Sequence, residues 1–116
     1  MITYDEVLVL HNLSIRDYGG SYGIRDSNLL KSALIRPFQV FDKNELYPSV
    51  LEKAASLIES IVQNHPFVDG NKRTGFIATY IFLYRNQLQI TAHDEEAYNF
   101  VMNIASSQIA FNEIVH

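Results

Sequence analysis

Residues 50–85 read VLEKAASLIESIVQNHPFVDGNKRTGFIATYIFLYR, and this stretch decides the fold. Its first half repeats apolar side chains with a period close to 3.6 residues, which predicts a long helix from about Pro48 to near Asn64. The helix has to end there because Pro66 forces the residue before it out of α geometry. The last part of the stretch, Asn71–Arg85, is apolar nearly all round, which is typical of a central helix buried by its neighbours.

The residues at the amino-terminal end of the chain predict a further helix and a turn. Thr3 and Glu6 have the spacing of a capping box, which opens a helix that runs to about Arg16. Three glycines within residues 17–23 break this helix. We expect at most a small β-hairpin or flap there, at about residues 18–24.

The remaining segments complete an all-α prediction. Asp26 has the position of an N-cap for a short helix that Pro37 ends, and residues 42–46 form a polar loop. An extended connection at residues 87–91 leads to a helix capped by Asp94, and a short terminal helix follows. With 116 residues, 47% of them hydrophobic, the chain is predicted to be one domain. We expect a compact bundle of helices around the central buried helix.

The composition excludes several function classes. The chain has no cysteine, which excludes a disulfide framework, a cysteine zinc site and a thiol nucleophile. Its net charge of −4 disfavours general nucleic-acid binding. The longest apolar run, residues 76–84, is far shorter than the roughly 20 residues of a membrane span, and residues 1–10 lack the basic start of a secretory signal. We therefore expect a cytoplasmic protein that binds neither nucleic acid nor membrane.

The residues that carry chemistry are concentrated between the two long helices. Gly70 permits an unusual turn, after which the N–H groups of residues 70–73 would point outward at a helix N-terminus. Lys72 and Arg73 add positive charge at the same place. Cations there oppose the helix dipole and cost stability unless an anion is bound, so their position favours an anion site over solvated charge.

Three further side chains of this loop have candidate roles. Asp69 supplies a hard oxygen ligand beside the anion site, an arrangement that holds Mg²⁺ on a nucleotide phosphate. His65 is a candidate general base near neutral pH, and Phe67 is the candidate anchor of the loop in the core. Taken singly, a loop histidine and an aspartate before glycine are more often structural. Their coincidence with two cations favours a functional site.

The nine residues from His65 to Arg73, HPFVDGNKR, resemble the signature of the Fic/Doc family, His-x-Phe-x-Asp/Glu-Gly/Ala-Asn-Gly/Lys-Arg. Residues 23–37 and 47–55 are similar to the Doc (death-on-curing) branch, and the resemblance covers about residues 4–105. It implies a compact Fic-type helical fold, Mg²⁺ (or Mn²⁺), and a nucleoside triphosphate such as ATP. It also implies transfer of part of that nucleotide to a protein hydroxyl.

The resemblance assigns roles by position. His65 looks like the catalytic base that deprotonates the target hydroxyl, and Asp69 is similar to the metal-binding acid of the family. The anion-hole segment of the family is matched by Gly70, Asn71 and Lys72. Its phosphate-binding arginine is matched by Arg73.

Three departures bear on which group is transferred. Lys72 stands where the AMP-transferring enzymes have glycine, and Phe76 stands where they have a second arginine. Both changes favour the Doc reaction, in which the nucleotide lies reversed and the γ-phosphoryl group is transferred. Gly70 points the other way, because Doc toxins commonly have alanine there. Transfer of AMP or another nucleotidyl group by the same site, and a non-catalytic Fic-fold binding module, are the alternatives.

The resemblance also implies partners. A Doc toxin belongs to a toxin–antitoxin pair, and its familiar target is a translation elongation factor, here expected to be elongation factor Tu. Many Fic enzymes carry an inhibitory helix marked by Ser/Thr-x-x-x-Glu-Gly/Asn. Only Thr91 has a glutamate at that spacing, Glu95, and Glu96 follows it instead of glycine or asparagine. We therefore expect inhibition by a separate antitoxin chain.

Overall fold

The computed structural model describes residues 2–87, and the first helix in it is α1 (Tyr4–Tyr18). It begins at the predicted capping box: Thr3 Oγ1 accepts a hydrogen bond from Glu6 N at 3.2 Å, and Glu6 Oε1 accepts one from Thr3 N at 3.0 Å. Gly19 follows the last helical residue as the C-cap, and its φ is 89°. The helix is therefore two residues longer than the prediction, which placed its end near Arg16.

The second helix, α2 (Ser27–Ile35), is also capped as predicted. Asp26 Oδ1 accepts hydrogen bonds from two backbone N–H groups of the first turn, at 3.0 and 3.2 Å. A 3-10 turn, Arg36–Phe38, follows the helix directly. Pro37 lies inside this turn and is buried, which is consistent with its predicted role of ending the α-helix.

The two strands of residues 2–87 form an antiparallel hairpin, β1 (Val40–Phe41) and β2 (Asn44–Glu45). The two residues between the strands have φ of 50° and 66°, as tight hairpin turns require because such turns match the strand twist. The prediction allowed at most a small β element at residues 18–24, where the structure has a single antiparallel bridge between Ile24 and Phe67. It also put a polar loop at residues 42–46, and this part is wrong because β2 occupies two of those residues.

The two long helices are α3 (Val50–Asn64) and α4 (Asn71–Arg85). Ser49 caps α3 by accepting a hydrogen bond from the N–H of the third helical residue at 3.0 Å. Pro48 therefore lies just before the cap and outside the helix, a correction of the predicted start. The predicted end of α3 and both predicted ends of α4 are confirmed.

The core lies where α3 packs against α4, α2 and the 3-10 turn. Gly75 is the point of closest approach: a Cβ atom on it would lie 3.0 Å from Val62 Cγ2 and 3.3 Å from Ile61 Cγ2. Only a residue without a side chain allows α3 and α4 to pack this closely. The buried apolar cluster consists of Ile2, Val7, Leu30, Ala33, Leu34, Ala54, Leu57, Ile61, Phe67, Ala78, Phe82 and Leu83. The predicted all-α fold class is confirmed.

Three predicted elements lie wholly or mostly outside the described residues: the extended connection at residues 87–91, the helix at Asp94 and the terminal helix. Among residues 2–87, no helix is both long enough and apolar enough to cross a membrane.

Candidate active site

The loop between α3 and α4, residues 65–70, is anchored in the core by two buried side chains. His65 ends α3 in the left-handed region, with φ 51° and ψ 60°, and this turns the chain away from the helix axis. Pro66 and Phe67 then point into the core, and Phe67 is 0% exposed. Phe67 therefore lies where an anchor of the loop has to lie.

A second segment, residues 23–26, runs beside the loop and holds its backbone. The Arg25 guanidinium donates to the carbonyl oxygens of His65 and Asn64, each at 2.6 Å, and so caps the C-terminus of α3. The backbone N–H groups of Arg25 and Asp26 donate to Pro66 O at 2.7 and 3.0 Å. Arg25 was not among the predicted site residues, although it lies within a stretch that resembles the Doc branch.

His65 is exposed, in contrast to Pro66 and Phe67, which follow it. Its side chain lies at the surface, although its carbonyl oxygen is held by Arg25. An exposed imidazole in the loop that leads into α4 is accessible to the hydroxyl of another protein. The position is therefore compatible with a general base.

Asp69 presents its carboxylate to two backbone N–H groups. Oδ1 accepts from Gly70 N at 2.8 Å, and Oδ2 accepts from Ser21 N at 3.1 Å. These two bonds, with a smaller contribution from the Arg73 charge, hold the pKa of Asp69 below its usual value. The carboxylate is thus exposed and ionised at neutral pH, as a metal ligand has to be. One sequence expectation is corrected here: the Gly70 N–H bonds Asp69, so it is not free for an anion.

The first turn of α4 has the features of an anion site. Its N-cap is Gly70, with φ 75° and ψ 18°, and no side chain caps the helix. No acidic residue lies in the first turn, whereas Lys72 and Arg73 do. Uncapped N–H groups and the helix dipole favour a bound anion at this end of a helix.

Asn71 faces inward, in contrast to its cationic neighbours. Its side chain is 7% exposed and bonds the backbone of Phe67 twice: Phe67 N donates to Oδ1 at 2.9 Å, and Nδ2 donates to Phe67 O at 3.0 Å. The side chain therefore clamps the loop to the start of α4. Only the backbone of Asn71 is available to an anion.

Arg73 reaches back to the end of α1. Its Nη2 donates to Gly19 O at 2.9 Å, and its guanidinium lies 5.6 Å from the centroid of the Tyr18 ring. The sequence prediction of a phosphate-binding arginine is compatible with this position. A phosphate at the N-terminus of α4 would compete with the Gly19 carbonyl for the guanidinium.

His11, on α1, is a site residue that the sequence did not reveal. It is 1% exposed, its ring stacks on Phe67 at 3.8 Å between centroids, and its Nε2 lies 2.7 Å from Asp69 O. The nearest signal in the sequence is one polar residue on the buried face of a helix. Such a signal does not identify the residues that the side chain contacts.

The donor set fits a divalent cation only in company with a phosphate. Within residues 2–87 no three His, Asp or Glu side chains come together as a metal cage. Mg²⁺ is commonly held by one or two carboxylates together with substrate phosphates and water. Asp69 beside the start of α4 matches that mode of binding.

Comparison with known proteins finds a matching family model and similar proteins. The model of the Fic/DOC family matches residues 1–83 of the chain. A protein called Toxin Doc from Mycolicibacterium smegmatis is 41% identical over 75 residues, which span 65% of this chain and 58% of that protein. A protein called Protein kinase doc from Escherichia phage P1 is 28% identical over 113 residues, 97% of this chain and 88% of that protein.

Proposed function

Because the chain belongs to the Fic/DOC family, we propose that it transfers the γ-phosphoryl group of a nucleoside triphosphate to a protein hydroxyl. We further propose that it acts as the toxin of a toxin–antitoxin pair, in the cytoplasm. The names of the two relatives, one a toxin and one a protein kinase, support this reading.

The observation that carries the proposal is the start of α4. An uncapped helix N-terminus with two cations and no acid in its first turn is unfavourable by itself. A bound polyphosphate reverses that cost, because its charge complements both the dipole and the cations. Asp69 lies two residues before α4. Its exposed carboxylate would repel such an anion unless a cation lay between them.

Asp69 is accordingly the proposed ligand of Mg²⁺ (or Mn²⁺), which would neutralise charge on the phosphates of ATP. Lys72, Arg73 and the N–H groups of the first turn of α4 are the proposed phosphate-binding groups. Gly70 contributes the turn that exposes those N–H groups, and Asn71 fixes the turn from the inside.

His65 is the proposed general base. Its imidazole takes the proton of the acceptor hydroxyl as that oxygen forms a bond to the γ-phosphorus. The bond between the γ-phosphorus and the bridging oxygen breaks, and a nucleoside diphosphate leaves. Since the imidazole is exposed, the acceptor hydroxyl has to be brought to it by the target protein itself.

The test uses ATP labelled either at the γ- or at the α-phosphate, with elongation factor Tu and a bacterial extract as acceptors. We expect protein labelling from the γ-label only. Labelling from the α-label would support nucleotidyl transfer instead, and no labelling from either would support a binding module.

Two variants make the test specific for the site. His65→Ala should abolish labelling, because a general base contributes roughly 10²–10⁴-fold, while the helix content remains native. Asn28→Ala, an exposed change on α2, is the matched control and should label normally. A His65→Ala protein with native activity would contradict the proposed mechanism.

The toxin proposal has its own test. The native chain, expressed alone in bacteria, should arrest growth, whereas His65→Ala should not. A partner chain that restores growth by binding would be the expected antitoxin. Harmless expression of a protein shown to be active in the lysate would contradict the toxin reading and leave the transfer reaction standing.

A further inference from the structure

His11 is a buried polar residue on α1 that has no part in the reaction proposed above. It is 1% exposed, and its ring lies nearly parallel to Phe67, with 6° between the planes and 3.8 Å between the centroids. A polar ring in a core is normally kept there by a hydrogen bond. In this case the bond goes to the loop that carries the proposed catalytic groups.

The partner of His11 determines which of its nitrogens carries the proton. Nε2 lies 2.7 Å from the backbone oxygen of Asp69. A carbonyl oxygen can only accept, so Nε2 donates. The bond pulls the Asp69 carbonyl towards α1, and the Asp69 carboxylate is bonded to the N–H groups of Gly70 and Ser21.

A second residue of α1 supports the same side of the loop. Ile15 lies one helical turn after His11, and its Cδ1 would be 3.1 Å from a Cβ atom on Gly70. A Cβ atom on Gly20 would be 3.0 Å from the same Cδ1 atom and 2.8 Å from Asp69 Oδ2. The residues around Asp69 are thus packed closely, and the only polar contact from α1 to Asp69 among the described residues is that of His11.

We propose that His11 is a positioning residue, whose Nε2–H fixes the Asp69 main chain and thereby sets the direction of the Asp69 carboxylate. This inference rests on the proposed function, in which Asp69 binds the metal of a metal–nucleotide complex. Partners that orient a metal ligand in this way are worth about 10–100-fold in metal affinity or activity.

Two substitutions separate the hydrogen bond of His11 from its packing. His11→Phe keeps a ring that stacks on Phe67 but has no donor for Asp69 O. His11→Gln keeps a donor of similar reach and loses the ring. The matched control is Val7→Ala. Val7 lies on the same helix and is 0% exposed, so this substitution lowers stability without removing a contact to Asp69.

The first readout is amide hydrogen exchange measured by NMR, which needs no nucleotide. In His11→Phe the Gly70 and Ser21 amides, which bond the Asp69 carboxylate, should exchange about tenfold faster, since the part-buried carbonyl of Asp69 loses the donor that holds it. The amides of α3 should change only as much as they do in Val7→Ala. Unchanged exchange at Gly70 and Ser21 would overturn the proposal.

The second readout is binding of Mn²⁺–ATP by titration, together with kcat and KM for transfer. His11→Phe should weaken Mn²⁺–ATP binding about 10–100-fold and raise KM for the nucleotide, and His11→Gln should recover most of the loss. If His11→Gln is as impaired as His11→Phe, the donor is not what matters and the proposal is wrong. If the native protein binds no Mn²⁺–ATP, the proposed function fails, and the exchange measurement still decides the role of His11.

Discussion

Replacing Asn71 with alanine tests whether this side chain clamps the loop or serves an anion. The substitution removes both bonds to Phe67 and leaves its N–H and carbonyl groups unpaired at a residue that is 0% exposed. A buried polar group left without a partner costs about 1–3 kcal/mol. For two such groups we expect the free energy of unfolding to fall by about 2–6 kcal/mol, or the melting temperature to fall by about 8–24 °C.

The assay is urea and thermal unfolding followed by circular dichroism, without nucleotide. Asn71→Asp should lie between the native protein and Asn71→Ala, because a carboxylate still accepts from Phe67 N but cannot donate to Phe67 O. The control is Asn12→Ala, an exposed change on α1, which should stay within about 0.5 kcal/mol of the native protein. An Asn71→Ala protein as stable as this control would refute the clamp.

Three further predictions concern the loop and the contact between the ends of α1 and α4. Asp69→Asn should lower the transfer rate and raise the Mg²⁺ concentration needed for half-maximal rate, because an amide is a weaker ligand; full activity of the native protein in excess chelator would count against a metal role. Gly70→Ala should lower the free energy of unfolding by about 1–2 kcal/mol, since φ is 75° and the new Cβ would lie 3.1 Å from Ile15 Cδ1; equal unfolding curves would contradict this. Hydrogen bonds from the Arg85 guanidinium and the Thr3 backbone lower the pKa of Glu6 to about 2, so its contribution to stability is present above its ordinary value of 4.5 and is lost as the pH falls towards 2. The native protein should therefore be more stable than Glu6→Gln at pH 7, and urea unfolding at lower pH should show that difference shrinking; a constant difference down to pH 2 would contradict the role of this ion pair.

Most helix ends could be predicted from a few neighbouring residues of the sequence. Thr3 with Glu6, and Asp26, satisfy the first N–H groups of their own helices, so the signal and the structure it specifies lie within four residues of each other. Pro66 likewise ends α3 through a steric effect on its immediate neighbour. The hairpin at residues 40–45 was missed because its strands have two residues each, too few to show an alternating pattern.

The sequence by itself determined the four helices, the polar loop between the long ones, and the set of chemically competent residues in it. Periodicity and capping act over a few residues, and the nine-residue signature is contiguous. Only the tertiary structure decided the directions of those side chains. The chain brings His11 to Asp69 across 58 positions and Arg25 to His65 across 40. The Asn71 side chain is turned inward because the buried backbone of Phe67 needs partners, and burial is a property of the packed molecule and not of the local sequence.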